Sequence, residues 1–418
     1  MNNTMIGTVN GDRLWARLME LGKIGEDEQG GVTRFSFTEL ERQAKEQVAS
    51  YMSEAGMQVR EDAVGNLIGT YVGTDPDAAV VISGSHIDTV LHGGKFDGAL
   101  GVLAAIEAIQ TMYENSIQPK HTIEVVAFTD EEGSRFGFGM IGSRALAGTL
   151  KQDNLTQRDE QGVTIAEAME AAGYVPSQLA SAARKSEEIK GYVELHIEQG
   201  RVLEQLNQPV GLVTGIAGPL WLQFTLNGQA GHAGATPMNM RRDPLEAATA
   251  IFDYIYRETR QFKHAVATVG KLRVLPGGVN VIPGEVQFSL DLRDIDEAQR
   301  NELEQRIRNF TDQVCKQQSI EYSIELLQRV PPAPSSPEIM AAIEEAARLN
   351  GMELPTLVSG AGHDGMQFHS LCPLGMIFVR SKDGISHNPQ EYSSKEDCAA
   401  GTQVLYSTLL QLAAVERS

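Results

Sequence analysis

Apolar positions along the chain fall into two textures. In the first, short unbroken apolar runs alternate with longer helical patterns. The runs are Ala78 to Ser85, Thr122 to Thr129, Gly191 to Leu195 and Gly375 to Arg380, and each reads as a strand. A helical pattern from Leu100 to Tyr113 separates the first two. Thr38 and Glu41 have capping-box spacing, so a helix is predicted from Thr38 to Ala55, with Gly56 as its stop. The alternation predicts βαβ units and a mostly parallel central sheet.

A second texture holds from about Leu212. Trp221 to Leu226 alternates in polarity as a strand does, and Asp243–Pro244 opens an amphipathic helix within Arg242 to Phe262. Two strands, Val266 to Val274 and Val286 to Leu292, flank a Pro/Gly loop. A charged helix, Asp296 to Gln317, and a strand, Ile320 to Leu327, complete the order β-α-β-β-α-β, which predicts a ferredoxin-like α+β module. Pro331, Pro332 and Pro334 mark a linker, and Ser336–Pro337 returns the chain to the first texture with a helix that Gly351 ends. The expected organisation is therefore an α/β catalytic domain, 1–211 and 329–418, interrupted by an inserted module, 212–328.

Composition narrows the partners. The 418 residues are 42% hydrophobic and 22% charged, as in ordinary globular proteins, and 35 Lys plus Arg against 55 Asp plus Glu leave a formal charge of −20. That balance excludes nucleic acid and anionic membranes as partners, because both need a basic surface. It leaves room for a small anionic substrate, since one enclosed Arg can override the global field. The cysteines, Cys315, Cys372 and Cys398, form no CxxC pair, which favours a reducing compartment. The N-terminus lacks a basic region followed by an apolar one, and the longest apolar stretch, Gly98 to Ile109, is broken by Glu107. A cytoplasmic protein is expected.

Candidate chemistry sits at the strand ends. Each apolar run delivers a metal-capable side chain at or just past its C-terminal end: His86, the pair Glu131–Glu132, His196 and His387. Open α/β sheets build their sites along that edge. Asp97 follows in the loop GGKFDGALG. Three imidazoles and several carboxylates without a thiolate suit a divalent ion such as Zn, Mn, Co or Ni. Two adjacent ions need a bridging carboxylate, for which Asp97 is the natural candidate. A lone strand-end histidine is more often structural, and Asp-Glu-Glu is more often a solvated charge run. Four strands aiming such groups at one edge are hard to obtain by accident. His92 and His121 lie nearby and are expected to do nothing catalytic.

The ordered motifs SGSHIDTV, GGKFDG, TDEEGSRFG, ELHIEQG and GISHNP resemble those of the dinuclear metallo-amidohydrolases related to aminoacylase and carboxypeptidase G. Within that group the chain is similar, along essentially its whole length, to the branch of N-carbamoyl-L-amino acid hydrolase, β-ureidopropionase and allantoate amidohydrolase. His196 carries much of this, since the peptidase branches have an acidic ligand there. The resemblance implies a metallopeptidase-type catalytic domain with an inserted lid and dimerisation domain, and two divalent ions per subunit. His86 and His196 would hold one ion, Glu132 and His387 the other, with Asp97 bridging. Asp88 would orient His86 from behind. Glu131 would be the general base, although the residues alone allow either glutamate either part.

The module adds GHAGATPM with His232, GGVNVIP with Asn280 and LDLRD with Arg293. Arg293 alternates with apolar residues as on a half-buried strand, and an enclosed Arg suits a carboxylate. The resemblance implies that Arg293 and Asn280 bind the substrate carboxylate, that His232 donates to the developing oxyanion, and that the three complete the site of the other subunit in a homodimer. Gln199, three residues after His196, suits a helical turn facing the site and would read a ureido group. The loop SGAGHDG, with Gly360, would line the substrate pocket. The implied reaction is hydrolysis of the carbamoyl C–N bond of N-carbamoyl-L-amino acids, with allantoate as the alternative substrate and an aminoacylase or dipeptidase less favoured. Gly360, Gly362 and Gly365 also match G-x-G-x-x-G, but Pro373 leaves no room for the long helix a dinucleotide site requires. No G-x-S-x-G elbow is present, which argues against a serine hydrolase.

Overall fold

The computed structural model describes residues 7–414, which form two compact units. One runs to Gly215 and resumes at Ser335; the other is Ile216–Pro334. These divisions lie a few residues beyond the expected ones. The strand Val210–Ile216 pairs with Leu374–Val379, so it belongs to the first unit's sheet.

From one edge, the strands of the first unit run Gln58–Glu61, Leu67–Tyr71, Ile123–Phe128, Val80–His86, Ile189–Ile197, Leu374–Val379 and Val210–Ile216. Val80–His86 lies parallel to both Ile123–Phe128 and Ile189–Ile197, and the latter lies parallel to Leu374–Val379. The flanking pairings are antiparallel. The four apolar runs are thus the four central parallel strands, and their C-terminal ends share one edge. The helix Ala99–Glu114 is buried from Ala99 to Met112, which explains its apolar residues on every face. The helix Glu39–Glu54 is capped by Thr38 Oγ1, but the Glu41 carboxylate accepts from Phe37 N, one residue further back than a capping box requires.

Two helices and a hairpin had no counterpart in the sequence reading, whereas residues 151–190 are the mixed helix and loop it expects. The helices Gly11–Leu21 and Lys395–Leu412 pack on Ala99–Glu114. The hairpin of Gln58–Glu61 and Leu67–Tyr71 is short, and its outer strand is polar. Between residues 151 and 190 lie short 3-10 turns and the helix Ile165–Ala171, closed by a true capping box of Thr164 and Glu167.

The second unit has the antiparallel strand order Glu321–Arg329, Gly218–Asn227, Glu285–Asp294, Val266–Leu275. With the helices Pro244–Thr259 and Glu297–Gln318 this is the expected β-α-β-β-α-β module. Burial alternates along its two central strands. Leu220, Leu222, Phe224 and Leu226 meet Val286, Phe288, Leu290 and Leu292 in a core closed by the helices. Phe288 stacks on Phe224 at 4.5 Å and meets Phe252 edge-on at 4.8 Å. Phe288→Ala is therefore expected to cost about 3–5 kcal/mol in a urea titration; a loss below about 1 kcal/mol would show that this unit's core does not depend on the stack.

Candidate metal centre

The parallel strands bring the predicted donors together. His86 is the last residue of its strand, and its Nε2 lies 3.7 Å from Asp97 Oδ1. His196 Nε2 lies 3.0 Å from the same oxygen. On the other side of Asp97, His387 Nε2 is 3.1 Å from Oδ2 and 3.6 Å from Glu132 Oε2. Donor atoms of His86, Asp97 and His196 fall within 4.8 Å of one another, as do those of Asp97, Glu132 and His387. Asp97 is common to both groups, and Glu131 belongs to neither. The Glu131 side chain is nonetheless enclosed, with Oε2 3.7 Å from His86 Nε2. A third group, Glu194, His196 and His363, lies behind His196 and is fully buried.

The imidazoles are oriented for a cation. His86 Nδ1 lies 3.0 Å from the main-chain oxygen of Asp88, and His196 Nδ1 lies 2.9 Å from that of Ile197. A carbonyl accepts only, so each Nδ1 carries the proton and each Nε2 presents a lone pair. The Gly98 N–H, which donates to His196 Nε2 at 3.3 Å, agrees with that tautomer. A lone pair 3.0 Å from a carboxylate oxygen needs a proton or a metal ion between them. The residues therefore fit a metal centre. Gly98 is part of the fit: its φ is +62°, and a Cβ there would stand within 2.4 Å of the His86 ring.

Electrostatics point the same way. Burial and the Asp97 charge push Glu132 up to about 7. Burial drives Glu131 well above the usual carboxylate range; His86 opposes this, while Asp364, Glu132 and Asp88 add to it. The hydrogen bond to Asp97 lifts His387 to about 9. Burial disfavours the His86 cation, yet Asp88, Glu131 and Asp97 outweigh it and hold that imidazole well above its ordinary value. A cluster of carboxylates enclosed in low dielectric is short of positive charge.

Asp88 acts differently from the expectation. Its carboxylate is 3.6 Å from His86 Nδ1, beyond hydrogen-bond length. Oδ1 and Oδ2 instead accept from the backbone N–H groups of Glu131 and Glu132, each at 3.2 Å. Asp88 thus holds His86 through its main chain and the glutamate pair through its side chain. Gln199 also departs from the reading. It lies in no helix but in a bend after Ile197, with φ +57°. Its Nε2 donates to Asp97 Oδ2 at 2.8 Å, while its Oε1 is buried without a partner among the described residues. Positive φ recurs at Asp130 (+54°) and His387 (+53°), where strain re-aims the chain beside a donor.

In the second unit, His232 and Asn280 come together. The short strand Gly231–His232 pairs with Val281–Ile282, and Ala233 N donates to the Asn280 carbonyl at 3.0 Å. Arg293 is at the far end of Glu285–Asp294, where its guanidinium grips Asp291 at 2.8 Å. The half-buried arginine thus has a carboxylate partner within its own strand. Gly360 is exposed, and a Cβ there would meet nothing within 4 Å. The helix after the G-x-G-x-x-G match is only Gly365–Phe368, unsuited to a dinucleotide. His92 pairs with Asp27, and His121 is held between the Ala79 carbonyl and Lys190.

Several supporting residues escaped the sequence reading. Asn66 is buried; its Oδ1 accepts from Thr129 N at 3.0 Å, and its Nδ2 donates to Asp62 and to the Gly142 carbonyl, anchoring the start of the Asp130–Glu132 turn. Arg34, also buried, donates from Nε to the Ile87 carbonyl at 2.6 Å, just past His86. Glu194 accepts from Ser85 Oγ, Tyr192 Oη and Gly365 N. Burial, with Glu194 beside it, pushes Asp364 up to about 8. Only Asn66, in the turn sequence VGN, carried any local signal.

Residues 82–411 match the model of Peptidase family M20/M25/M40. An N-carbamoyl-L-amino acid amidohydrolase from Geobacillus stearothermophilus is 55% identical, with 97% of this chain and 99% of that protein covered. An allantoate amidohydrolase from Bacillus subtilis is 39% identical, with 94% and 95% covered. The crystal structure of an amidase of the hydantoinase/carbamoylase family from Burkholderia multivorans superposes with a TM-score of 0.92 at 37% identity, covering 98% of this chain and 99% of that one.

Removing metal should expose the charge imbalance of this centre. A divalent ion at about 100 times its Kd is expected to stabilise the protein by about 2.7 kcal/mol relative to chelated protein. Thermal melts that coincide with and without the ion would argue against a metal centre here.

Proposed function

The chain belongs to peptidase family M20/M25/M40, and from that premise we propose that it hydrolyses the carbamoyl C–N bond of N-carbamoyl-L-amino acids, using two divalent ions. The observation that carries this reading is the buried, unpartnered Gln199 Oε1 beside Asp97. An orphaned acceptor at a reaction centre calls for an N–H donor, and the ureido –NH2 supplies one. His86 and His196 would hold one ion, Glu132 and His387 the other, with Asp97 between; Zn, Mn, Co and Ni all suit this oxygen and nitrogen set. When bound, the ions would polarise the carbamoyl oxygen and acidify a water.

The chain's own residues do the rest. Glu131, enclosed and outside both donor groups, is placed to take a proton from the attacking water and return it to the leaving nitrogen. The Asp88 grip on its amide fixes where the carboxylate stands. His232 donates to the developing oxyanion, and Arg293 and Asn280 receive the substrate carboxylate. One water is consumed: breaking one C–N bond releases ammonia and leaves the carbamate of the amino acid, whose remaining C–N bond breaks with loss of carbon dioxide to free the amino acid. Three buried free thiols accord with a cytoplasmic setting. Among the described residues no helix is long and apolar enough to cross a membrane.

Geometry within the second unit favours a homodimer. His232 and Asn280 lie beyond the Glu285 end of Glu285–Asp294, and Arg293 lies at the other end. Eight residues of strand separate them by roughly 26 Å. No amino-acid-sized substrate spans that length, so the two clusters of one chain serve different centres, as two subunits allow.

Two experiments test the proposal. Metal-reconstituted protein is expected to release ammonia from N-carbamoyl-L-methionine, and Glu131→Gln to abolish that release while keeping its metal. Release from allantoate alone would assign the chain the second reading, which the motifs SHIDTV, SGAGHD and ISHNP favour. Silence on both would overturn carbamoyl hydrolysis. Co-expression of His232→Ala with Arg293→Ala chains should restore about a quarter of wild-type activity, since half the dimers are mixed and each holds one intact centre. No restoration would place both residues at the same centre.

A further inference from the structure

Glu391 follows His387 by four residues, in a loop whose sequence gives it no evident part. Its side chain is buried and fully engaged. Oε1 accepts from the backbone N–H groups of Phe96 at 2.9 Å and Asp97 at 3.0 Å. Oε2 accepts from Ser386 Oγ at 2.8 Å. Gly94 passes so close that a Cβ there would stand 2.0 Å from Oε1. One carboxylate therefore ties the loop carrying Asp97 to the loop carrying His387.

Ser386 extends the tie. Its hydroxyl lies 3.0 Å from Asp97 Oδ2 and accepts from Gln199 Nε2 at 3.2 Å. A hydroxyl has one proton, so Asp97 and Glu391 share it. The two histidines of the other group, which shares Asp97, are held independently of Glu391. His86 and His196 are fixed by the main-chain carbonyls of Asp88 and Ile197, with no contact to Glu391 in that arrangement.

We propose that Glu391 is the positioning residue that keeps Asp97 and His387 in register, and that it governs retention of the ion held by Asp97, Glu132 and His387. The inference rests on the two-ion reading above. It predicts an asymmetric loss: the ion on the His86 and His196 side stays, and the other weakens. Outer partners of metal ligands typically contribute about 10- to 100-fold in affinity.

The test is metal content rather than turnover. Full-length wild type, Glu391→Ala and Glu391→Gln are stripped with chelator and dialysed against buffered Co2+. Ions per chain are then read by plasma emission, with circular dichroism melts alongside. Wild type is expected to hold two ions, and Glu391→Ala one, its second ion bound about 10- to 100-fold more weakly. Glu391→Gln should recover the second ion. Its Oε1 still accepts from Phe96 and Asp97, and its Nε2 can donate to Ser386 Oγ.

Fewer than two ions in wild type would overturn the two-ion reading itself. Two ions in wild type, with both retained at unchanged affinity or both lost together in Glu391→Ala, would overturn the role of Glu391. Should Glu391→Ala fail to fold, Ser386→Ala decides. It cuts only the hydroxyl link, so selective weakening of the second ion supports the proposal and unchanged binding refutes it.

Discussion

Everything in the first unit's site turns on the Asp97 carboxylate. It is buried, and His196, His387, Gln199 and Ser386 all converge on its two oxygens. Burial raises the free energy of its charge, yet His196 and His387, with His86 nearby, hold it well below the usual carboxylate range. Glu131, Glu132 and Asp88 crowd the same volume. Imidazole protons can balance part of that charge, but Nδ1 of both His86 and His196 is committed to a carbonyl. What remains at each Nε2 is a lone pair facing carboxylates, which needs a proton or a metal ion between them. The surrounding framework keeps those groups from relaxing apart. Asp88 clamps the glutamate amides, Asn66 anchors the turn before them, and Glu391 clamps the Asp97 amide.

The parallel sheet is what makes such a cluster affordable in chain entropy. Four buried strands deliver their last residues to one edge with little freedom left to lose. The final adjustments fall on joints where the backbone takes up positive φ at non-glycine residues: Asp130 before Glu131, Gln199 after the His196 strand, and His387 itself. Each costs of order 1–3 kcal/mol and persists because its neighbours over-determine it. At Gly98 the same conformation is reached without a side chain, because the His86 ring occupies the space a Cβ would need.

The contrast between what the sequence disclosed and what it hid follows from range. His86, His196 and the Glu131–Glu132 pair were legible because each follows a short apolar run, and a strand's end is a local property. The β-α-β-β-α-β module was legible for the same reason, its alternation and its Asp243 and Asp296 caps being local. Glu391 and Arg34 were not, because their partners lie far along the chain or on main-chain atoms. The Asp88 carboxylate makes a different contact from the one expected, since a carboxylate two residues from a histidine can reach forward to other amides as readily as back to the ring. Gln199 was given a helical turn because spacing by three suits one. The left-handed bend that the chain uses instead leaves no mark in residue type. Arg293 was expected to want a carboxylate, and the nearest one, Asp291, stood two residues away on the same face of the strand.

That last pairing bears on how a substrate would be chosen. Arg293 already holds Asp291 through Nε and Nη2, so a substrate carboxylate would exchange one carboxylate partner for another. On the proposed function such an exchange would contribute little net affinity, because one charged partner replaces another. It still penalises a ligand that lacks the carboxylate and displaces Asp291 by bulk alone, since the arginine then loses a charged partner in a half-enclosed setting. On the proposed function, Arg293 therefore acts more as a filter against uncharged ureas than as a source of binding strength. On that proposal, more of the affinity would come from the ions, from Asn280 and from Gln199 Oε1, a buried acceptor with no partner among the described residues.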